Sequence, residues 1–173
     1  MSIIAVWFSI VLVGLWWLID ARLVWFDSNG RLQQQFSQAN FEHQLNQRLQ
    51  TIDADLSSTV IHVTDANCSC NWRTRGHQQA VDRLITQYHG RNVYVDITQH
   101  PELKPFIPAT PAIIMFDNRA ELMYLGPYAD GAFCNSETSF VEHLNPAIST
   151  NVKSQQGGWV NTVAKGCYCT VAI

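Results

Sequence analysis

Charge is scarce in this chain, and no stretch of it carries one sign. Asp, Glu, Lys and Arg make up 14% of the 173 residues, 11 basic against 14 acidic, for a formal net charge of -3. There is no basic stripe or cluster, so no nucleic-acid partner is expected. Apart from a doubled C-x-C there is no internal repeat, which argues against a repeat architecture. The marks of a cleavable leader are missing too. Only Met1 and Ser2 precede the first apolar run, without a basic n-region. Leu18-Ile19-Asp20-Ala21-Arg22, at its end, offers no small-x-small cleavage site.

That apolar run is the first positive feature. Ile3 to Ile19 carries no charge, and only Ser9 and Gly14 interrupt it mildly. As a helix its 17 residues span about 25 Å, near the short end of what crosses a bilayer. Trp16, Trp17 and Trp25 suit an interfacial aromatic belt. An uncleaved single-pass anchor that touches membrane lipid is expected. The lone basic residue near the span is Arg22, on its C-terminal side, so the positive-inside rule gives no support for an outside domain. Cysteine usage points the other way, to an oxidising space such as a bacterial periplasm, with the anchor in the inner membrane.

Hydrophobic residues at 47% suffice for one real core. The chain divides into an anchor over 1–27, a folded domain over 28–150 and a tail over 151–173. Arg31 to Gln50 has Leu32, Phe36, Leu45 and Leu49 at helical spacing, which predicts an amphipathic helix broken near Asn40. Thr59 to Thr64 is a β-branched run and predicts a buried strand. Trp72 to His89 predicts a helix with Val81, Leu84, Ile85 and Tyr88 on one face, ended by Gly90 as its cap. Asn92–Ile97, Ala112–Phe116 and Glu121–Leu125 predict three more strands, the last two joined by a tight turn at Asp117-Asn118-Arg119. Ser136 to Leu144 predicts a further helix with Ser136 as N-cap. The order is strand–helix–strand, then strand–strand–helix. The crossover argues for a parallel pair and the tight turn for an antiparallel one.

The five cysteines are Cys68, Cys70, Cys134, Cys167 and Cys169. Four of them form two C-x-C pairs, a pattern that isolated apolar cysteines do not produce. It points to redox work, structural disulfides or metal. Full internal pairing of an odd number leaves one thiol over.

Several of these features converge. Cys68 and Cys70 lie just after a strand and just before a helix. Val95-Asp96-Ile97 leads through Pro101-Glu102-Leu103 to Thr110-Pro111 and the strand Ala112–Phe116, and Gly126 follows the hairpin. On these residues, from about Ser57 to Leu144, the chain resembles the thioredoxin superfamily. The resemblance implies an α/β fold: a four-stranded mixed sheet flanked by helices, here preceded by one N-terminal transmembrane helix. It implies that Thr110-Pro111 is a cis-proline site, with Pro111 opposite the cysteines and its loop presenting backbone to a substrate strand. Two features depart from that family. Its C-x-x-C is replaced by Asn67-Cys68-Ser69-Cys70-Asn71, and its buried acid on the preceding strand has no match, with His62 and Asp65 the candidates to stand in. The anchor and the tail lie outside the resemblance.

A thiol attacks as its thiolate, and a helix N-terminus favours negative charge. Cys68 is therefore expected as the nucleophile and Cys70 as the resolving thiol. Arg73, Arg75 and His77 follow closely and would either help the thiolate or serve as ordinary solvated residues. On a regular helix residues i and i+2 point apart, so a Cys68–Cys70 disulfide would need a turn ahead of the helix and would be strained. A strained bond is easily given up, which favours oxidase or isomerase work. The second pair, Cys167 and Cys169, has three readings. It is structural, with one member tied to Cys134; or it relays disulfides with Cys68 and Cys70; or Cys68, Cys70, Cys167 and Cys169 form a thiolate site for copper(I) or zinc, although zinc spacing is usually C-x₂₋₄-C. The leading expectation is a membrane-tethered thiol–disulfide oxidoreductase that acts on protein thiols and disulfides and needs no organic cofactor. The alternatives are a thiolate metal-binding module and a non-catalytic domain stapled by disulfides.

Overall fold

The structure is a computed structural model that describes residues 2–21, 23–131, 139–141 and 158–173. Helix α1 (Ser2–Asp20) extends away from the rest. Its 18-residue window Ile3–Asp20 has a mean hydropathy of 2.2, and none of it is buried. Nineteen residues make about 28 Å of helix, close to the ~30 Å hydrocarbon core of a bilayer. Among the described residues it is the one helix long and apolar enough to cross a membrane.

Strand β1 (Val24–Trp25) leads to two short helices, α2 (Arg31–Phe36) and α3 (Phe41–Leu49). The expected single helix is thus broken at residues 37–40, beside Asn40. The Asp27 carboxylate starts α2 by accepting from the backbone N–H of Leu32 (3.1 Å) and Gln33 (2.8 Å), two donors that a helix start leaves without intrahelical partners. Strand β2 (Thr59–Thr64) follows, then α4 (Asn71–Gln87) and β3 (Arg91–Asp96). The end of α4 refines the expected glycine cap. His89 takes the left-handed conformation (φ 59°), and the N–H of Gly90 donates to Ile85 O at 2.9 Å, which is a Schellman closure. Gly90 is needed for space, because a Cβ there would lie 2.7 Å from Ser58 O.

A 3-10 turn (Pro101–Leu103) precedes β4 (Ala109–Thr110), β5 (Ala112–Phe116) and β6 (Leu122–Gly126). The hairpin turn between β5 and β6 is held by the Asp117 carboxylate, which accepts from the N–H of Arg119 (2.8 Å) and Glu121 (2.9 Å). The tail adds β7 (Trp159–Val160), β8 (Lys165–Gly166) and β9 (Cys169–Thr170). The helix expected over Ser136–Leu144 lies mostly outside the described residues. Within it, Ser139 bridges to Ala129.

The main sheet has five strands, not the four expected, in the order β3-β2-β5-β6-β7. Strands β2 and β3 are parallel, as the α4 crossover requires, and β5 runs antiparallel to both β2 and β6. The extra strand is β7, a two-residue piece of tail laid parallel to β6. Alternate residues of β2 face opposite sides of the sheet. Ile61 and Val63 join a large cluster with Leu32, Phe41, Leu45 and Leu49, while Val60 joins Val81 and Ile85 of α4. The tail enters the large cluster through Ala164, Tyr168 and Val171.

Candidate redox site

The polar stretch after β2 folds into a tight turn. Asp65 O accepts from the N–H of Cys68 (2.9 Å) and from Asn71 Nδ2 (2.7 Å), and the Asp65 carboxylate accepts from the N–H of Asn67 (2.8 Å). Cys70 is the N-cap of α4, so Cys68 lies in the turn and Cys70 at the helix start. Both are nearly buried, at 6% and 5% exposure.

These two cysteines are not bonded to each other. Cys68 is joined to Cys169 and Cys70 to Cys167, each pair with Cα atoms 5.7 Å apart. The expected Cys68–Cys70 disulfide is thereby replaced, and the strain argument built on it lapses. The pair lies in the turn ahead of the helix with its sulfurs within 4.8 Å, and the tail brings a bonded partner to each of them instead. Two cysteines with one residue between them, on an extended tail, can both face that turn. The expected link from the tail to Cys134 is also replaced, since both tail cysteines are already paired. Cys134 itself lies outside the described residues.

The tail is fixed at this place by more than sulfur. Strand β9 pairs antiparallel with β4, with Cys169 opposite Thr110 and Thr170 opposite Ala109. The Val171 N–H donates to Pro108 O at 2.9 Å. Arg31 Nη2 reaches both Val171 O (3.1 Å) and Ile107 O (3.3 Å) and bridges the tail to the loop before β4. Tyr168 lies edge-on to Phe26, ring centroids 5.5 Å apart, and its hydroxyl donates to Ala129 O at 2.6 Å. Upstream, β8 pairs antiparallel with β1, and Lys165 Nζ meets the Asp20 carboxylate at 2.7 Å, at the end of the apolar helix.

Pro111 adjoins this junction. The Thr110–Pro111 peptide is cis, and Thr110 O lies 3.5 Å from Cys68 Sγ. The Thr110 hydroxyl is buried and finds no hydrogen-bond partner among the described residues. The sulfurs of Cys68, Cys70 and Cys169 all lie within 4.8 Å of one another.

Of the two candidates for a buried polar group on β2, Asp65 is spent on the turn, and His62 is fully buried. His62 Nδ1 is 2.5 Å from Tyr128 Oη, and Nε2 is 3.1 Å from Asn92 Oδ1 and 3.3 Å from Asp82 Oδ1. Tyr94 stacks on the imidazole at 4.8 Å and donates its hydroxyl to Asp82 at 2.5 Å. Burial lowers the His62 pKa, outweighing Asn92 and the Asp82 charge, which raise it. A neutral ring then donates from Nε2 and accepts the Tyr128 hydroxyl at Nδ1. Burial, with help from Asp82, pushes the Tyr94 phenol up to about 12. Both His62 nitrogens are thus occupied within the network, and the cysteines are not among its hydrogen-bond partners.

The other residues near the first pair play separate parts. The Arg73 guanidinium lies over the Trp72 ring at 4.7 Å, His77 is buried, and Arg75 is exposed. Sequence reasoning missed Arg31, Tyr168 and Val171. Nothing local in the sequence links a residue at 31 to a carbonyl at 171.

A family described as a domain of unknown function (DUF6436) matches residues 34–171, about four fifths of the chain, and the chain belongs to it. The match starts after the apolar helix and encloses all five cysteines, so the tail is part of the family domain. No curated protein matches the chain, and no solved structure does.

Proposed function

We propose that this protein is a membrane-tethered, thioredoxin-like thiol–disulfide oxidoreductase whose own tail serves as the resolving arm. The observation that carries the reading is the Cys68–Cys169 bond, made where β9 lies along β4 next to Pro111. The strand–helix–strand order around Cys68 and the hairpin after Pro111 support the likeness in fold. Two disulfides support a domain that faces an oxidising space, the periplasm of a bacterial inner membrane. Helix α1 supplies the tether.

In the reduced chain Cys68 is the nucleophile. It lies in the turn leading into a 17-residue helix, whose N-terminal N–H groups and dipole favour a thiolate. The buried Thr110 hydroxyl is a further donor in the neighbourhood. The Cys68 thiolate attacks one sulfur of a substrate disulfide. A Cys68–substrate bond forms, and the other substrate sulfur leaves as a thiolate and takes a proton. The Cys169 thiolate then attacks the Cys68 sulfur, Cys68–Cys169 forms, and the second substrate thiol departs. Two electrons pass to the substrate. Run backward, the same steps oxidise a substrate dithiol. The Cys70–Cys167 bond keeps the tail in place, so Cys169 stays within reach of Cys68 throughout. In this reading Pro111, the residue after Thr110, bounds the edge against which the tail, or a substrate strand, lies.

A turnover assay with an oxidised peptide substrate and a dithiol electron donor tests this in the full chain in detergent micelles. Activity is expected in the wild type and lost in Cys68→Ser. If the two proteins behave alike, the enzyme reading fails.

One observation favours a second reading. Tyr168 and Val171 belong to the core, so the disulfides hold down part of the hydrophobic interior. A non-catalytic domain stapled at its tail would show the same pairing. It would resist reduction until it unfolds.

A further inference from the structure

We infer that opening both disulfides turns this junction into a four-thiolate site for a thiophilic d¹⁰ cation of the zinc(II) class, held by Cys68, Cys70, Cys167 and Cys169. This stands independently of catalysis. It needs the four sulfurs to converge, not to exchange with a substrate.

The convergence is already present. Three of the sulfurs lie within 4.8 Å of one another, and the fourth, from Cys167, is bonded to that of Cys70. A tetrahedral site with metal–sulfur bonds of about 2.3 Å has sulfur–sulfur edges of about 3.8 Å. The bonded sulfurs, 2.11 Å apart, must separate by about 1.7 Å, and the wider spacings among these three must close by up to about 1 Å. Rotation between staggered side-chain rotamers of reduced cysteines moves a sulfur that far. The two segments that carry the pairs also stay together without sulfur–sulfur bonds. The β4–β9 and β1–β8 pairings, the Arg31 bridge and the buried Tyr168 all act on backbone or core. Reduction therefore leaves four thiols facing one another in a nearly closed place.

The ligand chemistry selects the ion. Four sulfur donors suit a soft or borderline d¹⁰ cation and are poor ligands for magnesium or calcium. Two dithiol pairs from separate segments give the 2 + 2 arrangement of structural thiolate sites. Here each pair has one intervening residue instead of two to four. The turn at Cys68 and the cap at Cys70 already bring those two sulfurs to the same place, so the short spacing does not keep them apart. Bonding both cysteine pairs and binding the ion exclude each other, which makes metal occupancy a report of the redox state.

The chemistry balances with a phosphine as reductant. Each disulfide takes up two electrons and two protons, and the phosphine takes the oxygen of water and leaves as its oxide. One divalent cation then displaces the four thiol protons.

The test uses the full chain in detergent micelles, reduced with a phosphine, desalted without oxygen and titrated with cobalt(II) and then zinc(II). One equivalent of cobalt is expected to give thiolate charge-transfer bands and tetrahedral d–d bands. Zinc should bleach them. Four cysteines should resist alkylation until a chelator is added, and the oxidised chain should bind nothing. Cys169→Ser and Cys167→Ser should each weaken binding by more than the roughly 10–100-fold that loss of an outer-shell partner costs. Cys134→Ser should leave the stoichiometry unchanged. Absence of cobalt bands in reduced wild type overturns the proposal, whatever the variants do. So does binding that both tail variants retain in full.

Discussion

Cys169 stands opposite Thr110 in an antiparallel strand pair, and from that position its sulfur is joined to Cys68. Backbone pairing and covalent bond coincide at one place, the residue before Pro111. The tail is thereby both a strand partner and a thiol partner of the same short loop.

The two disulfides are nested, with sequence separations of 101 and 97 residues, so their contributions to stability are unequal in order of removal. By loop-closure entropy, whichever is removed first costs about 2 kcal/mol, because the survivor still closes the long loop. Removal of the second costs a further 4–5 kcal/mol or so. Denaturant unfolding of Cys169→Ser, Cys167→Ser and the double variant measures this. A loss in the double variant no greater than the sum of the two single losses would count against it.

Arg31 holds two carbonyl oxygens, one on each side of the tail's docking edge. Hydrogen bonds from a charged donor contribute roughly 1.5–3 kcal/mol. Arg31→Gln should therefore expose the Cys68–Cys169 bond more often and speed its reduction. Timed alkylation under a fixed dithiol concentration reads the rate. No change would show that strand pairing and Tyr168 suffice.

Gly166 has no room for a side chain. A Cβ there would lie 2.7 Å from the Tyr168 ring and 3.2 Å from Gly131 O. Gly166→Ala must push Tyr168 out of its place, at a cost of about 1–3 kcal/mol. Thermal unfolding should show the loss, and the tail disulfides should become easier to reduce.

His62 makes stability depend on pH in a definite direction. Its folded pKa is depressed by burial, so the unfolded chain binds the proton more readily. Stability is then fully present above about pH 6.5, the ordinary histidine value, and declines as pH falls below it. Unfolding measured from pH 8 down to pH 5 should show this slope, and His62→Gln should flatten it while lowering stability overall. A slope that His62→Gln leaves intact would place its origin in another group.

Much of the fold is legible in the residues. Thr59–Thr64 and Ala112–Phe116 are β-branched or apolar runs bounded by polar turns, and both strands fall on those residues. The break near Asn40 and the helix after Cys70 follow from apolar spacing. The fifth strand was not legible. β7, β8 and β9 are two residues each, too short to show any period. Disulfide partners are equally hidden, because connectivity among cysteines does not follow from their spacing. Geometry at i and i+2 argued against an easy Cys68–Cys70 bond. Only the path of the tail supplies the alternative partners. The His62 network was hidden for the same reason, since Asp82 of α4, Asn92 of β3 and Tyr128 of the loop after β6 meet it from separate segments.

Trapping the exchange intermediate tests the central claim most directly. Cys169→Ser, with its Cys68 thiol released, should react with an oxidised peptide and accumulate a mixed disulfide that mass mapping places on Cys68. Wild type treated alike should pass through that species and return to Cys68–Cys169. Failure of Cys169→Ser to form any adduct on Cys68, in a chain that remains folded, would contradict the account and leave the disulfides as staples.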